Sequence, residues 1–173
     1  MEDAIAFDCL ALMGANGVGF HSDLADAFLK MGLNGFSLMQ ESRFSDEANG
    51  LRELHRWMVQ SFGECPEMCI SESVTSPVDV REAFNEWVNW EQKVRDEYET
   101  AIGNVEREQS KSKLEEMLES QKKELDFAIR FRGKLESVEY DPVAISEIQP
   151  QLEEHYREVL ENGNHSECDR QRD

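Results

Sequence analysis

Residues 84–105 read FNEWVNWEQKVRDEYETAIGNV, and this stretch decides the fold. Its apolar side chains recur at steps of three and four, the spacing of one face of an α-helix: Phe84, Trp87, Val88, Val94, Tyr98, Ala101, Ile102 and Val105. Glu91 lies in the middle of that stripe, so the helix directs a carboxylate towards a core. Because an unpaired charge in an apolar interior costs several kcal/mol, Glu91 is predicted to be protonated, paired with a cation or bound to a metal.

The bulk composition indicates a soluble acidic domain. The chain has 173 residues, 39% of them hydrophobic, and a formal net charge of −19 at pH 7. No run of eighteen apolar residues is present and the N-terminus lacks a basic region, which predicts a cytoplasmic protein without a membrane span. The acidity predicts no nucleic-acid partner and makes cations the natural small partners, although acidity that serves only solubility is the alternative.

The four cysteines are scattered, at Cys9, Cys65, Cys69 and Cys168. Cys65 and Cys69 have no second close pair of Cys or His to complete a zinc site. We predict that all four are free thiols.

Glycines and prolines divide the first half of the chain into helical segments. A first helix is predicted over roughly Asp3–Met31, with a bend or fraying at the three glycines between residues 14 and 19. Turn residues follow at Gly32–Gly35. A second apolar stripe then ends at Phe62, and Gly63 is predicted to cap the second helix. Residues 64–78 contain two prolines and are too long for a tight turn, which predicts a crossover from one end of a helical bundle to the other.

The second half continues the helical pattern. The third helix is predicted to open at Asp79 and to end near Ser110, and the fourth carries an apolar stripe to Leu135. A short fifth helix is predicted over about Ile148–Leu160, with Pro150 in its first turn.

Two helices, a long crossover and two further helices predict an all-α fold, a four-helix bundle with one long connection and a short fifth C-terminal helix. The bundle domain is predicted to span residues 1–162. The polar residues 163–173 are predicted to form a disordered tail.

Each of the four helices directs a polar group towards the interior. The first helix places His21 on its apolar face, the second places Glu47 in line with Leu54, and the fourth places Gln121 and Glu124 below its leucines. Together with Glu91 these side chains form a candidate metal site, because two adjacent hard cations need several anionic oxygens and a nitrogen donor. For His21 the alternative is a hydrogen-bonded core histidine, and for Gln121 it is a hydrogen bond to Glu91.

At these residues the chain resembles the ferritins. The segment Met31–Phe36 looks like the turn between the first two ferritin helices, and counting from it without gaps places Glu47 on the bridging glutamate of the family's Glu-x-x-His motif. Trp90-Glu91-Gln92 looks like the family's His-Glu-Gln segment. Gln121 matches the fourth-helix glutamine if three residues are deleted before it, and Glu124 matches it otherwise. The resemblance spans about residues 12–135.

Two ligands of the family's site are absent from the sequence. The motif's histidine falls on Gly50, and the first-helix glutamate falls on Gly14 or a close neighbour. His21 occupies the register of a tyrosine beside that site in many ferritins, which makes it the candidate for the lost nitrogen ligand. His55 is a second candidate, from a displaced position.

The resemblance implies iron binding and storage, with Fe(II) oxidised at a di-iron site of Glu47, Glu91 and Gln121 or Glu124. It also implies a homo-oligomeric shell, of twenty-four subunits in the family. One alternative is a degenerate member without the paired site, which acts as a structural subunit. The other is a helical interaction module without metal, in which Glu91 pairs with a basic residue such as Arg43.

Overall fold

The computed structural model describes residues 2–63 and 76–169, with side chains for residues 3–63 and 76–163. These residues form five helices and no strand: α1 (Glu2–Lys30), α2 (Asn34–Phe62), α3 (Val80–Asn104), α4 (Glu108–Ser137) and α5 (Pro142–Asp169). The all-α prediction is confirmed. Most of the predicted crossover, including Cys65 and Cys69, falls outside the described residues, as does the side chain of Cys168, whereas Cys9 is an exposed free thiol.

Aromatic clusters at the two ends of the bundle define the helix directions. At one end Phe7, near the start of α1, lies 5.6 Å from Phe62 at the end of α2, measured between ring centroids. At the other end Phe36, near the start of α2, lies 5.2 Å from both Phe28 of α1 and Phe84 of α3. Since α2 ends at one end of the bundle and α3 begins at the other, α2 and α3 run in the same direction. The prediction of one long crossover is confirmed.

Helix α1 is continuous from Glu2 to Lys30, so the fraying predicted at its glycines as one alternative is wrong, and the bend stays a prediction. A Cβ atom at Gly14 would lie 3.2 Å from the Leu51 side chain, and one at Gly17 would lie 3.4 Å from Glu47 and 3.5 Å from Trp90. The glycines therefore allow side chains of α2 and α3 to approach the α1 backbone closely. Tertiary packing of this kind overrides the low helix propensity of glycine, which is about 1 kcal/mol per residue relative to alanine.

The break between α3 and α4 comes earlier than predicted, because α3 ends at Asn104 and Ser110 already belongs to α4. The buried carboxylate of Asp3 accepts hydrogen bonds from the backbone N–H groups of Glu106 (2.9 Å) and Arg107 (3.3 Å). These donors precede the first turn of α4, where backbone N–H groups have no helical partner. The start of α1 thus stabilises the start of α4.

Helix α5 is longer than the predicted Ile148–Leu160, since it begins at Pro142 and extends to Asp169. The side chain of Asp141 accepts the N–H of Ala144 at 3.0 Å, so Asp141 caps a helix whose first residue is a proline, a favourable combination. Pro150 therefore lies inside the helix and not in its first turn. The domain boundary at residue 162 lies within this helix and stays a prediction.

The fifth helix docks on the first turn of α2. Leu33, which precedes α2, makes no side-chain capping bond, and Gln149 of α5 supplies the missing group: its Oε1 accepts the N–H of Phe36 at 3.2 Å. The approach is close because Gly35 has no side chain. A Cβ atom there would lie 2.7 Å from the Gln149 carbonyl oxygen and 2.8 Å from the Cβ of Leu152.

Helix α1 has a second property that the sequence analysis did not anticipate. Residues Asp3–Lys30 are long and apolar enough to cross a membrane, judged by length and composition alone. A core helix of a soluble protein passes the same test, and Phe7, Leu24 and Phe28 of α1 are all fully buried in the bundle. The absence of a membrane span stays a prediction.

We expect Gly35→Ala to destabilise the protein by about 1–3 kcal/mol, because the added methyl group overlaps the backbone of α5. Thermal unfolding should show a melting temperature lower by roughly 2–4 °C for each kcal/mol. Gly133→Ala in α4 is the matched control, since nothing lies within 4 Å of a Cβ at Gly133. That variant should be neutral or slightly stabilising. A Gly35→Ala protein as stable as wild type would contradict the close docking of α5.

Candidate metal centre

The predicted site residues line one cavity of about 230 Å³ inside the bundle. Helix α1 contributes His21, α2 contributes Glu47, α3 contributes Glu91, and α4 contributes Gln121 and Glu124. Toward the surface, the lining consists mainly of acidic side chains: Asp46, Glu53 and Glu116, beside Lys113. His55 is not among the described residues that line this cavity.

Glu91 is the most deeply buried carboxylate of the cavity, with 2% of its surface exposed. The indole Nε1–H of Trp87 donates to its Oε1 at 2.8 Å, and the Nε2–H of Gln121 donates to its Oε2 at 2.6 Å. Burial raises the pKa of Glu91, and the two hydrogen bonds oppose that rise. The bond from Gln121 is the one that the sequence analysis gave as the alternative to a ligand role for this residue. Trp87 was interpreted only as part of the apolar stripe, and its hydrogen bond was missed.

His21 is buried, and each ring nitrogen faces one polar partner. Its Nδ1 lies 2.8 Å from Oε1 of Gln40, and with the Gln40 amide in this orientation the proton is on Nδ1 and a lone pair is left on Nε2. Nε2 in turn lies 3.6 Å from Oε1 of Glu91. Burial lowers the pKa of His21 to about 4, so the imidazole is neutral at physiological pH. The sequence analysis missed Gln40, although its spacing from Phe36 places it on the inward face of α2.

Glu47 lies against Gly17 of α1 and keeps partial contact with solvent in the cavity. Burial, followed by the nearby charges of Glu91 and Glu124, raises the pKa of Glu47 to about 8. The cavity therefore raises the pKa of two of its carboxyl groups, Glu47 and Glu91.

Arg43 pairs with Glu124 and not with Glu91, the partner that one alternative assigned to it. Its Nη1 forms an ion pair with Oε2 of Glu124 and lies 3.8 Å from Oδ2 of Asp46. Its guanidinium also lies over the ring of Phe127, 5.0 Å from the centroid. In the described part of the chain no Lys or Arg forms an ion pair with Glu47 or Glu91.

The two positions at which the family's ligands are missing differ in the structure. Leu51 packs against Gly14, whereas Gly50 lines the cavity and has nothing within 4 Å of a Cβ atom. No three His, Cys, Asp or Glu side chains among the described residues are close enough together to hold a metal ion as they stand. The cavity thus contains side chains of the types that bind metals, but their positions in the structure would not hold an ion.

Comparison with known proteins supports the fold. Solved structures that resemble the chain include an open-pore ferritin from the hyperthermophilic archaeon Archaeoglobus fulgidus and an engineered closed form of that ferritin. Each has a TM-score of 0.83 and 16% identity, over 88% of this chain and 95% of the other. A humanized archaeal ferritin has a TM-score of 0.81, over 87% of this chain and 94% of the other. No family model and no curated protein sequence matches the chain. The chain therefore has the ferritin-like fold, as predicted.

We expect Glu47→Gln to stabilise the metal-free protein at alkaline pH. In the folded state the pKa of Glu47 is about 8, against an ordinary value of 4.5. A raised carboxyl pKa gives stability below the unfolded pKa that is lost as the pH rises through the folded pKa. Glu47→Gln removes that loss. At pH 9 its melting temperature should therefore exceed that of wild type, by roughly 2–4 °C for each kcal/mol of unfolding free energy that wild type has lost. The difference should vanish near pH 4.

Glu41→Gln is the matched control, because Glu41 is an exposed residue of the same helix. Its melting temperature should follow that of wild type across the pH range. Equal stability of Glu47→Gln and wild type at pH 9 would show that the cavity does not perturb Glu47.

Proposed function

We propose that this chain, which has the fold of a ferritin subunit, binds Fe(II) between its helices and oxidises it with dioxygen for storage. One observation carries the proposal: Glu47 and Glu91 share a cavity, and no Lys or Arg of the described residues forms an ion pair with either of them. Buried carboxylates without a partner are costly, and a divalent cation would convert that cost into binding energy.

His21 supports the proposal because it has the properties of a metal ligand. Metal-bound histidines usually donate their other ring N–H to an oxygen acceptor, which fixes the tautomer and the ring orientation. Gln40 is that acceptor here, and it leaves the Nε2 lone pair directed towards Glu91. In this proposal His21 and Glu91 hold the ion, Gln121 positions Glu91, and Glu47 completes the site by rotation of its own side chain away from Gly17.

The charge around the cavity favours entry of cations. Acidic side chains line its outer part, and the chain as a whole carries a net charge of −19. A cleft lined by charges of one sign raises the local concentration of ions of the opposite sign. Binding displaces the proton of Glu47, whose pKa is about 8, because carboxylate ligands must be deprotonated.

Oxidation follows from electron transfer to dioxygen. Two Fe(II) ions each lose one electron, and dioxygen takes up both electrons and two protons to give hydrogen peroxide. A di-iron site, as the resemblance implies, would place both donors in one cavity. The number of ions held at once depends on Glu124, since that carboxylate already pairs with Arg43.

Storage requires an enclosed space, and we propose that copies of the chain assemble into a shell. The comparison proteins include an open-pore and a closed form of one ferritin. In the isolated chain several large apolar side chains are exposed, among them Ile5 and Leu12 of α1 and Val59 of α2. Such side chains suit contacts between subunits.

We expect anaerobic Fe(II) to bind to the purified protein and to be oxidised when air is admitted, measured by metal titration and by the rise of ferric absorbance. Glu91→Gln should lower the initial oxidation rate at least tenfold, because it removes the central anionic ligand and keeps the size of the side chain. Glu99→Gln, at an exposed position of the same helix, is the control and should match wild type. Iron binding and oxidation that are equal in Glu91→Gln and wild type would refute this site.

A second candidate function is a structural subunit that has lost the site. The observation that favours it is the absence of both family ligands, with Leu51 packed over Gly14 and empty space at Gly50. In that case wild type would assemble without binding iron.

Gly50→His separates these two functions. The variant restores the Glu-x-x-His spacing, and its Cβ atom would meet nothing within 4 Å. If wild type binds iron, the added imidazole should raise the affinity roughly tenfold, the size of effect that one change around a metal typically has. Iron binding by Gly50→His alone would instead favour the structural subunit. Calorimetric titration of both proteins measures the difference.

A further inference from the structure

Arg43 occupies a position inside the bundle that the proposed iron function does not use. Only 16% of its side chain is exposed, and its guanidinium forms an ion pair with Glu124 across the gap between α2 and α4. The ring of Phe127 lies beneath it, and the side chain of Tyr156 in α5 lies close enough for the charge of Arg43 to act on its pKa. Contacts from three helices therefore hold this cation beside the cavity.

The charges of the cavity suit one divalent ion better than two. With Arg43 paired to Glu124 and close to Asp46, and with Glu53 and Glu116 at the exposed mouth, the inner carboxylates left for metal are Glu47 and Glu91. Two carboxylates neutralise one divalent ion. A second ion would need Glu124 as a ligand, and would then face the positive charge of Arg43 at close range in a site with little solvent.

We propose that Arg43 competes with a second metal ion for Glu124, so that the cavity fills in two unequal steps. This inference rests on the proposed function, because it describes how the same site loads. The first ion binds to Glu91, His21 and Glu47, and the second binds only as Glu124 exchanges the guanidinium for the metal. Arg43 thereby sets the ratio of the two affinities.

The experiment is an anaerobic titration of the full-length protein with Co(II), followed by calorimetry and by the visible absorbance of bound cobalt. Wild type should bind a first Co(II) ion and then a second one with an affinity at least tenfold lower. Arg43→Gln should strengthen the second step at least tenfold and leave the first nearly unchanged. Arg43→Lys keeps the charge and should retain the weak second step, which separates the effect of charge from that of shape.

Arg56→Gln is the matched control, since it removes the same charge from an exposed position of the same helix, and it should titrate as wild type does. Circular dichroism of each variant establishes that the bundle is intact. If Arg43→Gln and wild type bind the second Co(II) ion with the same affinity, the inference is overturned, whereas the proposed iron site is not. Absence of any bound cobalt in wild type and variants alike would overturn the proposed function itself.

Discussion

The burial of Glu91 is the constraint on which the rest of the structure depends. A carboxyl group at 2% exposure must satisfy both of its oxygens inside the protein, and it does so with one donor from its own helix and one from α4. The bond from Gln121 joins α3 to α4 at this point, and the bond from Trp87 holds the Glu91 side chain within α3. The Nε2 atom of His21 faces Glu91, and Gln40 pairs with Nδ1, the other ring nitrogen. The polar interior is therefore a connected network across all four bundle helices.

The same network explains why the cavity differs from its apolar surroundings. Below it and above it the bundle is closed by stacked aromatic rings, such as Phe7 on Trp57 at one end and Phe84 on Phe131 at the other. Between these layers the cavity is lined by glutamates, a histidine and Gln121, together with Leu54, Tyr98 and Met117. Rigid aromatic layers on both sides keep the polar layer from collapsing, which is what a site needs if its ligands are to remain available for an ion.

The sequence predicted those features that follow from local periodicity. The stripe around Glu91, the cap at Gly63 and the order of helices could all be inferred, because each depends on residues a few positions apart. The fraying predicted for α1 was wrong, since the partners that fill the space beside its glycines come from other helices. The start of α5 was missed although Asp141 and Pro142 form a recognisable helix-start signal. The choice of Glu124 as the partner of Arg43 is a matter of three-dimensional distance, which spacing along the chain does not contain.

The capping of α2 by Gln149 has a consequence for how the chain is made. A helix whose first turn lacks its own capping group frays until that group arrives, and here it arrives from a residue more than one hundred positions later. During synthesis the ribosome releases the first four helices before the residue that completes the second of them. We therefore expect the nascent bundle to stay loose at the end where Phe28, Phe36 and Phe84 meet until Gln149 has been synthesised.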